Sequence, residues 1–271
     1  MIGFSNGVYH SVSEISIPIT SISINRGYGA FEFFGIVKGR AFYGDRHLNR
    51  LRRSMQILRL KTNYDEQLEE IVEAVITKNQ LSDAYLKLFV LPHDTAATDH
   101  RQASLYVYPT QMPLFDSLLY EEGGRLVTKN FQRFLPEAKS TNYLAGQYWM
   151  DEQNDSRVVD VLYHNGHSVQ ETSRGNVFIV KDGTVITPAE NVLNGVTRGL
   201  ILECLSKNGI LHAEAEVSLA LLYSADEVFL SSTTKHILPI TQIDGRNIGS
   251  GKPGRLTREM IRVFQQLKDS Y

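Results

Sequence analysis

Residues 176 to 188 read "NVFIVKDGTVITP", two apolar runs on either side of Asp182-Gly183. Both residues of that dipeptide tolerate positive φ, so the segment is set to fold back as a tight β-hairpin. Around it lie a strand-like "VVDVLYH" that runs into an Asn-Gly turn and a further strand "EVFLSST". Helical patterns flank them at about 139 to 154, 196 to 207 and 255 to 268. Toward the N-terminus, the strand-like runs "SIPITSISI", "AFEFFGIVKGRAFY", "AYLKLFVL" and "ASLYVYP" surround helical patterns at 47 to 59 and 65 to 79. In the second of these, Leu68, Ile71, Val72, Val75 and Ile76 share one helical face, which marks it as packed against a core. The order is not the alternation of a doubly wound βαβ protein, so the expected class is α+β. A proline-containing stretch without periodicity, "PTQMPLFDS" at 109 to 117, suggests a linker. The expected organisation is an N-terminal domain over 1 to 112, a linker over 113 to 117 and a C-terminal domain over 118 to 271.

Composition narrows the partners. Of 271 residues, 42% are hydrophobic and 21% charged, enough to build one large or two medium cores. The formal net charge is −2 with both signs interspersed, which argues against nucleic acid because a phosphate backbone needs clustered positive charge. No stretch of 18 apolar residues occurs and the start, "MIGFSNGVYHSVSEI", lacks a basic segment followed by an apolar one, so neither a membrane span nor a leader is expected and the reading is cytoplasmic. One cysteine, Cys204, rules out an internal disulfide and a multi-cysteine zinc site, and no metal is expected.

Chemistry gathers around Lys139, in "LPEAKSTNYL". Taken alone, a lysine there is a solvated surface residue. Further on, "VQETSRGNVFIV" places Glu171 at the end of one strand, shortly before the next. Two polar clusters, Gly195-Val196-Thr197 and Ser232-Thr233-Thr234, stand where a strand or loop meets a new element. Each is an ordinary cap or turn if considered singly, and each also offers backbone N–H groups and hydroxyls to an anion.

Taken together, these stretches resemble the fold type IV family of pyridoxal-phosphate enzymes, which includes branched-chain aminotransferases, D-amino acid aminotransferases and aminodeoxychorismate lyases. The resemblance runs from "RGYGAFEFFGIVKGRAFYGDRHLNRLRRS" to "TKHILPITQIDGRNIGSGKPGRLTREM". It implies a small α/β sandwich-like N-terminal domain, a C-terminal pseudobarrel domain, pyridoxal 5'-phosphate between them, and a homodimer. By resemblance, Arg50 holds the cofactor phosphate, Lys139 carries the cofactor covalently, and Glu171 pairs with its pyridine nitrogen. Val196 and Thr197 supply helix-start amides to the phosphate, and Thr233 a further donor. Tyr143 is similar to the tyrosine that branched-chain enzymes place near the cofactor's phenolic oxygen, with one residue fewer after the lysine.

The residue types suit those roles. A lysine that must react as a free amine needs desolvation or nearby positive charge to shed its proton, and once freed it can move a proton at the substrate's Cα. A carboxylate facing the ring nitrogen keeps that nitrogen protonated. Arginine meets a phosphate with paired, fork-shaped hydrogen bonds.

Substrate choice is less constrained. D-amino acid enzymes and deoxychorismate lyases carry an arginine in the loop after the strand that here reads "LKLFVLPHDTAATDHRQ", but Leu91-Pro92 occupy the expected place. Arg26 and Tyr28, in "RGYG", replace residues of the usual "FGDG". Arg26 or Arg174 is therefore a candidate for gripping a carboxylate, against the alternative of a salt bridge. Phe31, where some relatives have tyrosine, makes the pocket more apolar and leans toward a branched-chain or other apolar L-amino acid. Thr234 joins these as a substrate contact. The leading expectation is an aminotransferase working between an amino acid and a 2-oxo acid. Alternatives are a lyase that releases pyruvate and 4-aminobenzoate from aminodeoxychorismate, and a non-catalytic cofactor-binding protein.

Overall fold

The computed structural model describes residues 1–92, 101–111 and 115–271. They form two compact units. The first holds the residues up to 111 together with Ala138–Asn142 and Tyr271, and the second holds 115–137 and Tyr143–Ser270. Residues 112 to 114, where the expected first boundary and the start of the linker fall, lie outside the described residues, as do 93 to 100 of the loop that lacks the arginine.

In the first unit the chain runs β1 (Ile2–Ser5), β2 (Val8–Ser11), α1 (Ile22–Arg26), β3 (Ala30–Val37), β4 (Arg40–Ala41), α2 (Gly44–Ile57), β5 (Leu60–Lys61), α3 (Leu68–Lys78), β6 (Ala84–Pro92) and β7 (Arg101–Thr110). The sheet order is β2-β1-β7-β6-β3-β4, with β5 beside β7. Strand β3 alternates strictly, burying Ala30, Glu32, Phe34 and Ile36 on one face. Helix α2 lies on that face: the Phe34 and His47 rings are 5.1 Å apart. The expected face of α3 is the buried one, with Leu68, Ile71, Val72, Val75 and Ile76 all inside.

One expectation fails here. "SIPITSISI" is not a strand: its first part has no regular structure, and Ile22–Arg26 form one short helix. The cause is local. Pro18 offers no amide to a ladder, and Ser21 caps the helix by accepting from Ser23 N at 3.2 Å.

The second unit contains α4 (Leu118–Glu121), β8 (Gly124–Asn130), α5 (Leu144–Asp151), β9 (Val158–His164), β10 (Ser168–Thr172), β11 (Asn176–Lys181), β12 (Thr184–Pro188), α6 (Val196–Lys207), β13 (His212–Ala215), β14 (Val217–Ser218), α7 (Leu219–Tyr223), β15 (Glu227–Ser232), β16 (His236–Ile243), β17 (Arg246–Asn247) and α8 (Arg255–Asp269). Strands β11-β15-β16-β8-β9-β10 pair in that order, and β10 pairs with β11 again, closing a barrel. The hairpin of β11 and β12 turns at Asp182 and Gly183, both at positive φ (48° and 76°). Phe178 and Phe229, opposite each other in the β11–β15 ladder and fully buried, stack at 4.8 Å and 7° between planes on the face away from the Val177, Ile179, Val228 and Leu230 cluster, worth about 0.5–1.5 kcal/mol beyond their buried area.

Two further corrections concern this region. The helix expected from 139 starts only at Leu144, because residues before it attach to β3: Ala30 bridges Ser140, and Thr141 N donates to Gly29 O at 2.9 Å. Strand β16, "HILPITQI", has no counterpart among the expected strands. Its Pro239 sits opposite Phe229, and the ladder to β8 shifts register between Ile240 and Gln242. Among the described residues no helix is long and apolar enough to cross a membrane.

Candidate active site

In the first unit, Lys139 is fixed through its main chain. Its N–H donates to Ser54 Oγ at 3.0 Å, and its carbonyl accepts from Phe31 N at 3.0 Å. Ser54 Oγ in turn donates to Arg50 O at 2.9 Å, so one hydroxyl links the lysine backbone to the helix that carries Arg50. Lys139 Nζ stands 4.4 Å from the Phe31 ring centroid. Phe31 therefore gives the ammonium an aromatic face. The structure thus brings Phe31, Arg50 and Lys139 together.

Arg50 is itself held by a buried carboxylate. Glu32 accepts Nε and Nη2 of Arg50 at 2.9 and 2.6 Å, and His47 Nδ1 lies 3.1 Å from its Oε1. A carboxylate only accepts, so His47 carries its proton on Nδ1. Burial alone would raise the Glu32 pKa, but the Arg50 guanidinium and the His47 ring hold it well below the usual carboxylate range. Burial, opposed by Glu32, lowers the His47 pKa. Glu32 and His47 are additions to the expected residues, although an alternating strand that reads Ala-Phe-Glu-Phe-Phe-Gly-Ile-Val already puts Glu32 on the apolar face.

In the second unit, Glu171 lies next to the end of β10 and is 3% exposed. Its Oε1 accepts from Arg133 Nη1 at 2.9 Å and its Oε2 from Leu193 N at 2.8 Å. Asn176, paired with Glu171 across the β10–β11 turn, donates its Nδ2 to Leu193 O at 2.8 Å. One acid and one amide thus grip both sides of Leu193, two residues before Gly195, the N-cap of α6. A Cβ on Gly195 would fall 2.2 Å from Asn176 Oδ1, so glycine allows this approach. Helix geometry leaves the N–H groups of Val196 and Thr197 without intrahelical acceptors, a setting that favours an anion.

Nearby, Ser231 pairs with Asn176 in the ladder. Its buried Oγ has no hydrogen-bond partner among the described residues. Thr233 and Thr234 follow in the half-buried turn after β15. Tyr143 precedes α5 as its N-cap residue, half-buried. Together with Glu171 it belongs to the charges that act on Tyr163, whose hydroxyl is pushed well above its ordinary pKa by burial and Asp160. Arg174 is exposed on the β10–β11 turn, and Arg26 is exposed at the end of α1, donating to Asn25 O at 3.1 Å. Arg133, which neutralises Glu171, is also beyond the sequence reading. Its signal, an arginine in an irregular stretch before Lys139, is too common to single out.

The donor set of each unit fits a phosphorylated, nitrogen-protonated ring. A fixed guanidinium and an amine stand in one; a fixed carboxylate, helix-start amides and an unsatisfied hydroxyl stand in the other. These features, with the closed barrel, define a fold type IV pyridoxal-phosphate enzyme.

The class IV aminotransferase family model matches residues 29–243, and the chain belongs to that family. It is 32% identical to D-alanine aminotransferase of Listeria monocytogenes serotype 1/2a (strain 10403S) over 93% of this chain and 90% of that protein. It is 27% identical to a putative branched-chain-amino-acid aminotransferase of Methanocaldococcus jannaschii over 99% of this chain and 96% of that protein. Among solved structures, a T.th. branched-chain amino acid aminotransferase with pyridoxamine 5'-phosphate superposes with a TM-score of 0.90 at 23% identity, over 98% of this chain and 93% of that one. The protein is a pyridoxal-phosphate-dependent aminotransferase acting on an amino acid and a 2-oxo acid, and the lyase alternative is not favoured.

Proposed function

We propose that the amino donor is a D-amino acid and that the reaction is carried by Lys139, with Arg50, Tyr143, Glu171, Val196, Thr197 and Thr233 binding the cofactor. The observation that carries the donor is the 32% identity, nearly end to end, with D-alanine aminotransferase. A branched-chain or other apolar L-amino acid is the second reading, favoured by Phe31 in place of a tyrosine. Pyridoxal phosphate, when bound, supplies an electron sink that acidifies the substrate's Cα–H.

The chain's own residues do the rest. Lys139 Nζ takes the proton from Cα and returns it during the exchange of amino groups. Glu171, kept anionic by Arg133 and the Leu193 amide, holds a proton on the nitrogen it faces. Arg50, with Val196, Thr197 and Thr233, anchors a phosphate by charge-assisted hydrogen bonds. Phe31, Arg26, Arg174 and Thr234 contact the substrate. The working form is a cytoplasmic homodimer with an N-terminal domain to residue 112 and a C-terminal domain from 118.

The test is an absorbance spectrum of the cofactor-loaded protein titrated with single D- and L-amino acids. Loss of the bound-cofactor visible band with D-alanine and not L-leucine supports the first reading; the reverse supports the second. A Lys139→Ala protein that keeps the band would remove Lys139 from its role.

A further inference from the structure

Lys235 is the most deeply buried lysine of the described residues, at 6% exposed. It closes the turn Ser232-Thr233-Thr234-Lys235 between β15 and β16, so it stands two residues from Thr233. Its backbone is pinned at both ends: its N–H donates to Ser232 Oγ at 3.1 Å and its carbonyl accepts from the Tyr120 hydroxyl at 3.1 Å. The ammonium is not pinned. Nζ lies 5.3 Å from the Phe115 ring centroid, and among the described residues it makes neither a hydrogen bond nor an ion pair.

A lysine this deeply buried whose ammonium meets only a sliver of solvent and no protein acceptor among the described residues calls for an explanation. Other charges do not supply one. Asp160 acts on Lys235 only across space, since its Oδ1 already accepts from Val161 N and Ser173 Oγ. Arg174 acts on it with the same sign, and its guanidinium likewise has no hydrogen-bond or ion-pair partner among the described residues. Two cations thus share one carboxylate, one oxygen of which is already engaged.

The backbone explains why these groups converge. The β10–β11 turn that carries Arg174 packs against the end of β15: a Cβ on Gly175 would fall 2.5 Å from Ser231 O and 3.4 Å from Ser232 Cβ. Ser173, which donates to Asp160, is two residues beyond Glu171. The unsatisfied ammonium, the exposed guanidinium and the acid assigned to the cofactor ring therefore belong to adjoining turns at one end of the barrel.

We infer that Lys235, seconded by Arg174, is the receptor for the α-carboxylate of the amino-acid substrate. One anion added to two cations and one carboxylate leaves the cluster neutral, and a carboxylate gives the ammonium the acceptor it lacks. This assignment rests on the aminotransferase reading of the same site and supplies what Leu91-Pro92 leave missing. Burial, which lowers the Lys235 pKa, fits a group awaiting an anion.

The experiment compares wild type, Lys235→Met, Lys235→Arg and Arg174→Ala as cofactor-loaded proteins. Calorimetry with pentanoate, an α-carboxylate without the amino group, gives anion affinity; kinetics give KM and kcat; fluorescence gives pyridoxal-phosphate affinity; and a melt gives stability. Lys235→Met is expected to weaken pentanoate and raise KM by about tenfold to a hundredfold, the range for a hydrogen bond to a charged group. Cofactor affinity stays within about twofold of wild type. The melting midpoint does not fall, because a well-packed apolar chain replaces an uncompensated cation. Lys235→Arg recovers part of the anion affinity, and Arg174→Ala loses less than Lys235→Met. Unchanged pentanoate affinity in Lys235→Met overturns the assignment, as does a loss confined to pyridoxal phosphate, which would make Lys235 a phosphate ligand. If wild type transfers no amino group and yet binds pentanoate through Lys235, the functional reading falls and the carboxylate receptor stands.

Discussion

Glu32 receives Arg50 through both Nε and Nη2, at 2.9 and 2.6 Å, inside a strand face that is otherwise apolar. The carboxylate is 0% exposed, so its charge is tolerable only while the guanidinium and His47 answer it. In exchange the guanidinium is held in one orientation, which a side chain with this much rotamer freedom would not keep unaided. Glu32→Ala removes the anion that accepts Nε and Nη2 of a nearly buried arginine. The expected loss is about 3–5 kcal/mol of stability by urea unfolding, with weaker pyridoxal-phosphate binding. A midpoint equal to wild type would mean that Arg50 does not depend on Glu32.

Glu171 leads to a different prediction, because its two oxygens are divided between a side chain and a backbone amide. Glu171→Gln keeps the shape and one acceptor oxygen but removes the charge. It is expected to retain cofactor and fold while kcat falls by about a hundredfold or more, the scale of a lost proton-handling group. Arg133→Met should instead destabilise the protein, since it breaks a buried ion pair by removing one partner. The pair of variants separates ring chemistry from structure: equal stability losses in both would assign Glu171 a structural task.

The same residues mark how far sequence alone reaches. Lys139, Glu171 and Arg50 can be proposed from sequence because each stands in a motif whose chemistry needs that residue type. Helix α3 is legible because its apolar spacing has one period, and β11–β12 because Asp-Gly sets the turn. What escapes depends on pairing across long separations. Strand β16 carries a proline that argues against a central strand, yet its partners β15 and β8 lie on either side. The stretch from Ala138 to Asn142 has a helix-like pattern, but its hydrogen bonds reach Gly29, Phe31 and Ser54, far away in sequence. Arg133 and Lys235 carry no local mark at all; only burial and the absence or presence of an acceptor distinguish them from surface cations.

Gly195 offers a steric test of the link between the ring acid and the helix start. Its backbone, φ −64° and ψ 131°, suits any residue, so an alanine there introduces no backbone strain. The added methyl would instead meet Asn176 Oδ1, and Asn176 cannot swing aside without releasing Leu193 O. Gly195→Ala is expected to cost about 1–3 kcal/mol by overpacking and to weaken pyridoxal-phosphate binding. Adding Asn176→Ala, which removes the obstacle, should recover cofactor affinity in part. Independent, additive losses in the double variant would show that the two residues are not coupled.

Stability against acid has a source away from the chemistry. His236, at the start of β16, has its Nε2 3.0 Å from Lys268 Nζ, and a lysine only donates, so the ring accepts there and is neutral. Burial first, and the Lys268 charge second, push its pKa down to about 4. The unfolded chain therefore takes up a proton near pH 6.5 that the folded chain refuses until about pH 4. The sign follows: this contribution is fully present above pH 6.5, declines as the pH falls, and is gone near pH 4. Its ceiling is about 3 kcal/mol. Urea midpoints at about pH 7.5 and about pH 5 should differ more in wild type than in His236→Gln, which cannot titrate in this window. Equal differences in the two proteins would place the acid sensitivity elsewhere, in the carboxylates that the fold holds ionised, Glu32 first among them.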